Sequence, residues 1–239
     1  MRRGQTLYDN NGKQVALMIL EGFSVSQADN GTYSHGGGAV YWATDYLGID
    51  SQGNRVYRDP CYAPVDIKCI WLDRNECVAV WESLEKVHLA NGMIDYLTIT
   101  VYHDNDITNG LITVGTIKRQ GEQFNRTGTG GQVSGDHVHL ETGYGRYNLS
   151  YSTGSGTAEY KYHITDYTTP KRLHNYDALF INDTNPHTSP SYYDWKVFQG
   201  GSPSPSVIKR FKFKWVIYLK KIRERRWLSL FNILYFNCK

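Results

Sequence analysis

Over its first 200 residues the chain alternates between short apolar segments and tight-turn dipeptides. The segments are rich in β-branched and aromatic residues, which favours strands, and no sustained helical period is present. Between them Asn-Gly recurs, a dipeptide typical of hairpin turns. The strand-like segments are 39–47, 78–82, 96–103, 111–117 and 136–141. We therefore predict a mainly β fold: an antiparallel β-sheet or sandwich body, with a basic C-terminal extension whose composition is compatible with a helix.

Charge is distributed unevenly along the chain. Residues 1–200 contain 16 Lys+Arg and 22 Asp+Glu, a net charge of −6. Residues 201–239 contain 10 Lys+Arg and one Glu, a net charge of +9. Because the body is acidic, we expect no nucleic-acid partner. The tail mixes basic and aromatic residues, which suits contact with a membrane surface or an anionic wall polymer. Its abrupt start is equally compatible with a gene junction or a shifted reading frame.

Composition divides the chain into four segments. They are an N-terminal segment (1–22), a β domain that carries the motifs described below (23–147), a β/loop addition packing on it (148–200), and a Ser-Pro linker with the basic aromatic tail (201–239). The apolar run 15–20 is shorter than the ~7–15 residues of a signal-peptide core, so we expect no signal peptide. No apolar stretch reaches the ~20 residues of a membrane span. The sequence leaves the oligomeric state open.

Three histidines occupy positions where strands would bring them to a cleft. His137 and His139 are separated by one residue, and because side chains alternate along a strand, both imidazoles project from one face. His103 ends the segment 96–103 and continues its apolar stripe. Isolated histidines of this kind are more often surface or core groups than ligands. That interpretation prevails for the histidines among polar or loop residues, which are His88, His163, His174 and His187.

Upstream of these strands, His35 precedes three glycines and Asp45 lies in the following predicted strand. Two imidazoles and a carboxylate suit a tetrahedral zinc site with one open position. The four cysteines include no C-x-x-C pair, and none is placed to close a purely structural zinc site. Glu141 is interpreted as a solvated charge at a strand end, with orientation of a histidine as the alternative.

The order of these elements resembles a known family. The chain reads His35 and Asp45, then Tyr62-Ala63-Pro64-Val65, Val101-Tyr102-His103, Ile112-Thr113-Val114-Gly115, Gly128-Thr129-Gly130 and Gly135-Asp136-His137-Val138-His139-Leu140-Glu141. Over roughly residues 20–145 this resembles the lysostaphin/LytM-type zinc metallopeptidases. The resemblance implies that Zn²⁺ is the cofactor and that peptide bonds of bacterial peptidoglycan are hydrolysed by a metal-bound water. It also implies a phage tail-associated protein or a released lysin acting on the host cell wall.

The same resemblance assigns roles to individual residues. It implies zinc ligation by His35, Asp45 and His139, and catalytic roles for His103 and His137. Nine residues separate His35 from Asp45, whereas the usual family motif has three between its histidine and aspartate. The alternative carboxylates are therefore Asp29 and Asp50. A second interpretation of the whole chain is a non-catalytic phage tail, baseplate or cell-wall-binding module that keeps the fold.

Overall fold

A computed structural model describes residues 2–35, 41–147, 163–164, 171–182, 184 and 186–200. The chain separates into two units, 1–200 and 201–239. The second unit lies outside the described residues. The prediction that the tail is compatible with a helix therefore falls on residues that the structure does not describe. The strands are β1 (Phe23–Gln27), β2 (Thr44–Ile49), β3 (Arg55–Val56), β4 (Pro60–Tyr62), β5 (Ile67–Asp73), β6 (Val78–Ser83), β7 (Val87–His88), β8 (Ile94–Asp95), β9 (Leu97–Tyr102), β10 (Ile117–Lys118), β11 (Gln123–Arg126), β12 (Val138–Tyr144), β13 (Lys171–Leu173) and β14 (His187–Thr188). The helices are α1 (Asn105–Thr108) and α2 (Asn175–Ala178).

Within the described residues, one large sheet of ten strands dominates the first unit. Its strand order is β10-β5-β6-β9-β12-β2-β1-β14, with β3 paired to β2 and β13 paired to β12. Its pairings are antiparallel except that between β1 and β14. The prediction of a mainly β, antiparallel body is confirmed. Neither helix in the described part of the chain is long and apolar enough to cross a membrane.

The central strands of this sheet are covered on both faces. Every residue of β6 and β9 is buried, and so are six of the seven residues of β12. Each residue of the apolar run 15–20 is at most 1% exposed. Ala16, Met18, Ile19 and Leu20 pack into the same core, whereas Val15 and Leu17 pack into a smaller second cluster. Met18 donates its N–H to the carbonyl of Phe180 at 2.8 Å, which joins the N-terminal segment to the end of the unit. Fully burying each large aliphatic side chain contributes about 1.5–3 kcal/mol.

One predicted strand is largely absent. Residues 111–116 form bends and turns, and only Ile117–Lys118 pairs with β5. Leu111 and Val114 are 73% and 59% exposed, so no neighbouring layer covers these side chains. The prediction for 111–117 was therefore mostly wrong, because β-branched composition yields a strand only where another strand or layer packs against it. Of the predicted strand 39–47, residues 39 and 40 lie outside the described residues, and in the remainder the strand begins at Thr44.

Candidate metal centre

The three central strands bring the first site residues together by register. His139 on β12 lies opposite Asp45 on β2 and opposite Tyr102 on β9. Directly opposed residues place their side chains on the same face of a sheet. Each of these three residues is 8% exposed. A buried imidazole, carboxylate and phenol therefore lie side by side at the end of the rigid centre of the fold.

Asp45 Oδ1 is the point on which the imidazoles converge. It lies 3.0 Å from His139 Nδ1, 3.5 Å from His35 Nε2 and 3.6 Å from His137 Nε2. Potential ligand atoms of His35, Asp45 and His139 all lie within 4.8 Å of one another. Despite these distances, Asp45 Oδ1 is buried without a hydrogen-bond partner among the described residues.

Each of the three imidazoles uses its other ring nitrogen on an oxygen that can only accept. These contacts are His35 Nδ1 to the Ala28 carbonyl (3.1 Å), His137 Nδ1 to the Gly135 carbonyl (2.8 Å) and His139 Nε2 to the Glu141 carboxylate (3.2 Å). Assigned from these acceptors, the ring hydrogens point away from Asp45. The lone pairs of these ring nitrogens then face the carboxylate oxygen of Asp45 and repel it. A cation bound between the nitrogens and the oxygen removes this repulsion. Two imidazoles and a carboxylate are a donor set that suits Zn²⁺, so the residues fit the metal that the sequence predicts.

Burial and the charges of neighbouring residues set the pKa values of His139, Asp45 and His35. Burial works to lower the pKa of His139, but the carboxylates of Asp45 and Glu141 outweigh burial and raise it to about 9. Burial works to raise the pKa of Asp45, but His139 and His35 outweigh it and hold that pKa below its usual value. Burial, followed by the charge of His139, lowers the pKa of His35. Without a metal, His139 carries a second ring proton at neutral pH, and this positive charge faces Asp45 in place of a cation.

His103 and His137 form a second pair at the edge of the centre. Their ring centroids are 4.5 Å apart, and His103 Nδ1 lies 2.8 Å from the Gly130 carbonyl. Burial, together with the charge of His137, lowers the pKa of His103 to about 4. His103 is therefore a neutral imidazole at neutral pH, with Nδ1–H donated to the backbone and Nε2 left as an acceptor.

His103 reaches the cleft by a different route from the predicted alternation. Strand β9 ends at Tyr102, which faces His139 across the sheet. By alternation His103 would share the core face of Val101. Its φ of 77° lies in the left-handed region and ends the strand geometry there, so the imidazole lines the cleft instead. The predicted stripe therefore explains the burial of the strand but not the position of His103.

All five predicted site residues line one cleft of about 550 Å³. A neighbouring depression of about 540 Å³ shares Asp45 and His137 with it. Tyr33, which is 86% exposed, lines both. Asp45 and His137 therefore lie where the two depressions meet.

For two residues of the centre the sequence favoured an interpretation outside the site. Glu141 is only 3% exposed, so its interpretation as a solvated charge was wrong. His163, interpreted as a loop residue, lines the cleft and contacts both Glu141 Oε1 and the hydroxyl of Tyr102. Together with His139, these two residues form a second group with metal-ligand spacing. The two-residue step from His139 to Glu141 was a usable signal for Glu141, whereas nothing local points to His163.

The alternative carboxylates have other partners. Asp29 Oδ2 lies 2.5 Å from His174 Nδ1, and the Asp29 N–H donates to the Tyr193 hydroxyl at 3.0 Å. Asp50 Oδ1 accepts the backbone N–H groups of Gln52 and Asn54 in an exposed turn. Neither aspartate belongs to a group with metal-ligand spacing among the described residues, whereas Asp45 does.

No known family profile matches the chain. Over 187 residues it is 28% identical to Morphogenesis protein 1 of Bacillus phage B103, a match that covers 78% of this chain and 45% of that protein. The chain thus spans less than half the length of this curated relative.

Solved structures similar to the chain include a zinc-containing peptidase from Vibrio cholerae (17% identity, TM-score 0.36, 56% of this chain and 39% of that chain). A variant of the catalytic domain of the prophage-encoded protein EnpA from Enterococcus faecalis matches with 14% identity and a TM-score of 0.38, over 64% of this chain and 96% of that chain. The catalytic domain of the antimicrobial peptidase lysostaphin from Staphylococcus simulans matches with 12% identity and a TM-score of 0.31, over 59% and 86%. The side chains of the cleft, rather than these scores, define what the site can do.

Proposed function

We propose that this chain is a zinc-dependent endopeptidase that hydrolyses peptide bonds of bacterial peptidoglycan. The observation that carries the proposal is the convergence of His35 Nε2 and His139 Nδ1 on Asp45 Oδ1, a buried atom with no hydrogen-bond partner among the described residues. The cleft around it also holds three further imidazoles, those of His103, His137 and His163. Zn²⁺ would be held by these three residues. When bound, the metal supplies Lewis-acid polarisation of a peptide carbonyl and lowers the pKa of water to ~7.

His103 and His137 supply the proton transfers in this proposal. Each donates Nδ1–H to a backbone carbonyl, so Nε2 is the nitrogen that accepts a proton. Because the rings are 4.5 Å apart, a charge on His137 disfavours a proton on His103. The pair therefore takes one proton from the attacking water and returns it to the leaving amine, while the neutral partner orients the reacting groups.

Glu141 fixes the orientation of His139, which lies two residues before it on the same strand. Its carboxylate accepts from His139 Nε2, which leaves Nδ1 directed at Asp45. The other carboxylate oxygen accepts the N–H of Ile164 at 2.8 Å, so the group is held at both oxygens. A carboxylate behind a metal-binding imidazole keeps the ring in one tautomer and increases its basicity.

The setting of this activity is also a proposal. The relative in a Bacillus phage supports a phage context, in which the enzyme acts on the host wall from the virion tail or as a released lysin. The acidic charge of residues 1–200 gives no electrostatic attraction to nucleic acid. The basic residues of 201–239 would add contact with a membrane surface or a wall polymer.

The proposal is tested by incubating the purified full chain with peptidoglycan of several cross-link types, with and without a chelator. We expect new amino termini and defined muropeptide fragments by mass spectrometry, lost with chelator and restored by Zn²⁺. His139→Ala serves as the inactive control. Binding to walls without release of fragments, from any cross-link type, would instead support the non-catalytic wall-binding module.

A further inference from the structure

The positions of His103 and His137 both depend on the backbone at residues 128–130. The carbonyl of His103 accepts the Gly130 N–H at 2.9 Å. His137 pairs with Gly128 through both backbone groups, at 2.9 and 3.1 Å. A Cβ on residue 128 would overlap the carbonyl oxygen of His103. The spacing of the two imidazoles therefore follows from where this short segment lies.

One guanidinium joins this segment to the turn after β9. Arg58 lies between β3 and β4, and its Nη1 donates to Asp104 Oδ1 at 2.8 Å and to the Thr127 carbonyl at 2.9 Å. Nη2 donates to Asp106 Oδ1 at 2.8 Å. Asp104 directly follows His103, and Thr127 directly precedes residues 128–130. The guanidinium thus holds together the two stretches of backbone that set the position of His103.

The backbone of the same residue reaches the other histidine. The N–H of Arg58 donates to Asp136 Oδ2 at 3.2 Å, and Asp136 directly precedes His137. Arg58 has a φ of 53°, a left-handed conformation that is uncommon for residues other than glycine. This conformation lets one residue bond to the sequence neighbour of each catalytic histidine.

The chemistry of the contacts requires a guanidinium rather than any cation. Asp104 is fully buried, and a buried carboxylate is costly unless it is paired. The planar fork of arginine bonds several acceptors at once, which the point charge of a lysine ammonium does not reproduce. The Arg58 side chain is 34% exposed, so a small solute can enter its place when it is removed.

We propose that Arg58 is a positioning residue that holds His103 and His137 at their mutual distance. The proposal rests on the proposed function, because it assigns Arg58 a role in proton transfer by those two histidines. It requires no contact between Arg58 and the substrate, and none between Arg58 and the metal.

The activity test compares Arg58→Ala and Arg58→Lys with the wild-type chain. We expect Arg58→Ala to lower kcat by about tenfold or more, because small displacements of catalytic groups have effects of this size. KM and the bound zinc should stay within about twofold of wild type.

Guanidinium chloride at a non-denaturing concentration should restore part of the kcat of Arg58→Ala, whereas urea at the same concentration should not. Arg58→Lys should remain impaired. Arg119→Ala, which removes an exposed ion pair with Asp66, is the matched control and should keep full activity.

Amide hydrogen exchange tests the same role without any substrate. In Arg58→Ala the amides of Gly128, Gly130 and His137 should exchange about tenfold faster or more, and guanidinium should slow them again. Unchanged kcat and unchanged exchange would overturn the proposal, and so would a loss of activity that guanidinium does not repair. If the wild-type chain cleaves no wall at all, the proposed function fails, while the exchange measurement still decides whether Arg58 holds the two segments.

Discussion

Asp45 and His139 face each other across β2 and β12, with Oδ1 and Nδ1 3.0 Å apart. This pairing makes Asp45 the carboxylate of the proposed metal centre. Asp45→Ala should therefore lower the affinity for Zn²⁺ by about a hundredfold, measured by competition with a chromophoric chelator. Asp50→Ala, in an exposed turn, is the control and should bind zinc as the wild type does. Equal zinc affinity in the wild type and Asp45→Ala would contradict the assignment.

The two histidines of the H-x-H segment should separate into different roles. His139→Ala should lose bound zinc and hydrolysis together, because it removes a proposed ligand. His137→Ala should keep zinc and lower kcat by about 100-fold or more, because it removes a proton-transfer group. Elemental analysis of the purified variants and wall-digestion rates measure the two properties. A His137→Ala protein that digests walls at the normal rate would refute the catalytic role.

Glu141→Gln tests the carboxylate behind His139. The substitution keeps the shape of the side chain but removes the charge that orients the His139 ring and that, after Asp45, raises the pKa of His139. We expect zinc affinity to fall about 10–100-fold. The ¹⁵N shifts of the His139 ring should also show a mixture of tautomers. His88, which pairs with Asp9 outside the cleft, provides an internal reference whose shifts should not change.

Gly128→Ala tests the close approach of two backbone segments. A Cβ at this position would overlap the carbonyl oxygen of His103, so the variant should be less stable and lose most hydrolysis. Gly135→Ala is the matched control, because a Cβ there meets nothing within 4 Å. Thermal unfolding and digestion rates should distinguish the two. Similar behaviour of both variants would show that the approach at Gly128 is not limiting.

Asp59 should make the free energy of unfolding depend on pH. Burial, helped by the charges of Glu21 and Asp136, raises its pKa to about 7 in the folded chain, from 3.8. Between these values the folded state binds more protons than the unfolded state, so stability falls as pH rises from about 4 to about 7. Asp59→Asn removes this dependence. Its Tm should exceed that of the wild type by several °C at pH 8 and match it near pH 4. A difference between variant and wild type that does not change with pH would contradict the shifted pKa.

Strand alternation predicted the part of the site that lies on regular sheet. The one-residue spacing of His137 and His139, and the apolar run ending at Val101, indicated strands that the structure contains. The two-residue step to Glu141 carried the same information but was interpreted as surface charge. Strand alternation does not predict where the backbone leaves the extended conformation. His103 is such a position, because its φ is positive.

Other parts of the site depend on contacts between distant segments. His163 meets Glu141 only because the chain returns to β12, and no local pattern around His163 indicates that return. Arg58 is likewise one basic residue in a turn until the fold brings Asp104 and Thr127 to it. Residues 111–114 show the converse case. Their apolar composition predicted a strand, but Leu111 and Val114 are exposed, and backbone bonding to β5 begins only at Gly115.

The loop that carries His35 is closed by residues from the other end of the unit. Asp29, six positions before His35, is held by His174 and by Tyr193, a contact that spans 164 residues. Contacts of such separation form late, because the intervening chain must first be ordered. We therefore expect a nascent chain to lack full zinc affinity until residues 174–193 have been synthesised and have folded back onto this loop. Metal acquisition would then wait for the folding of residues 174–193, not only for the formation of the central strands.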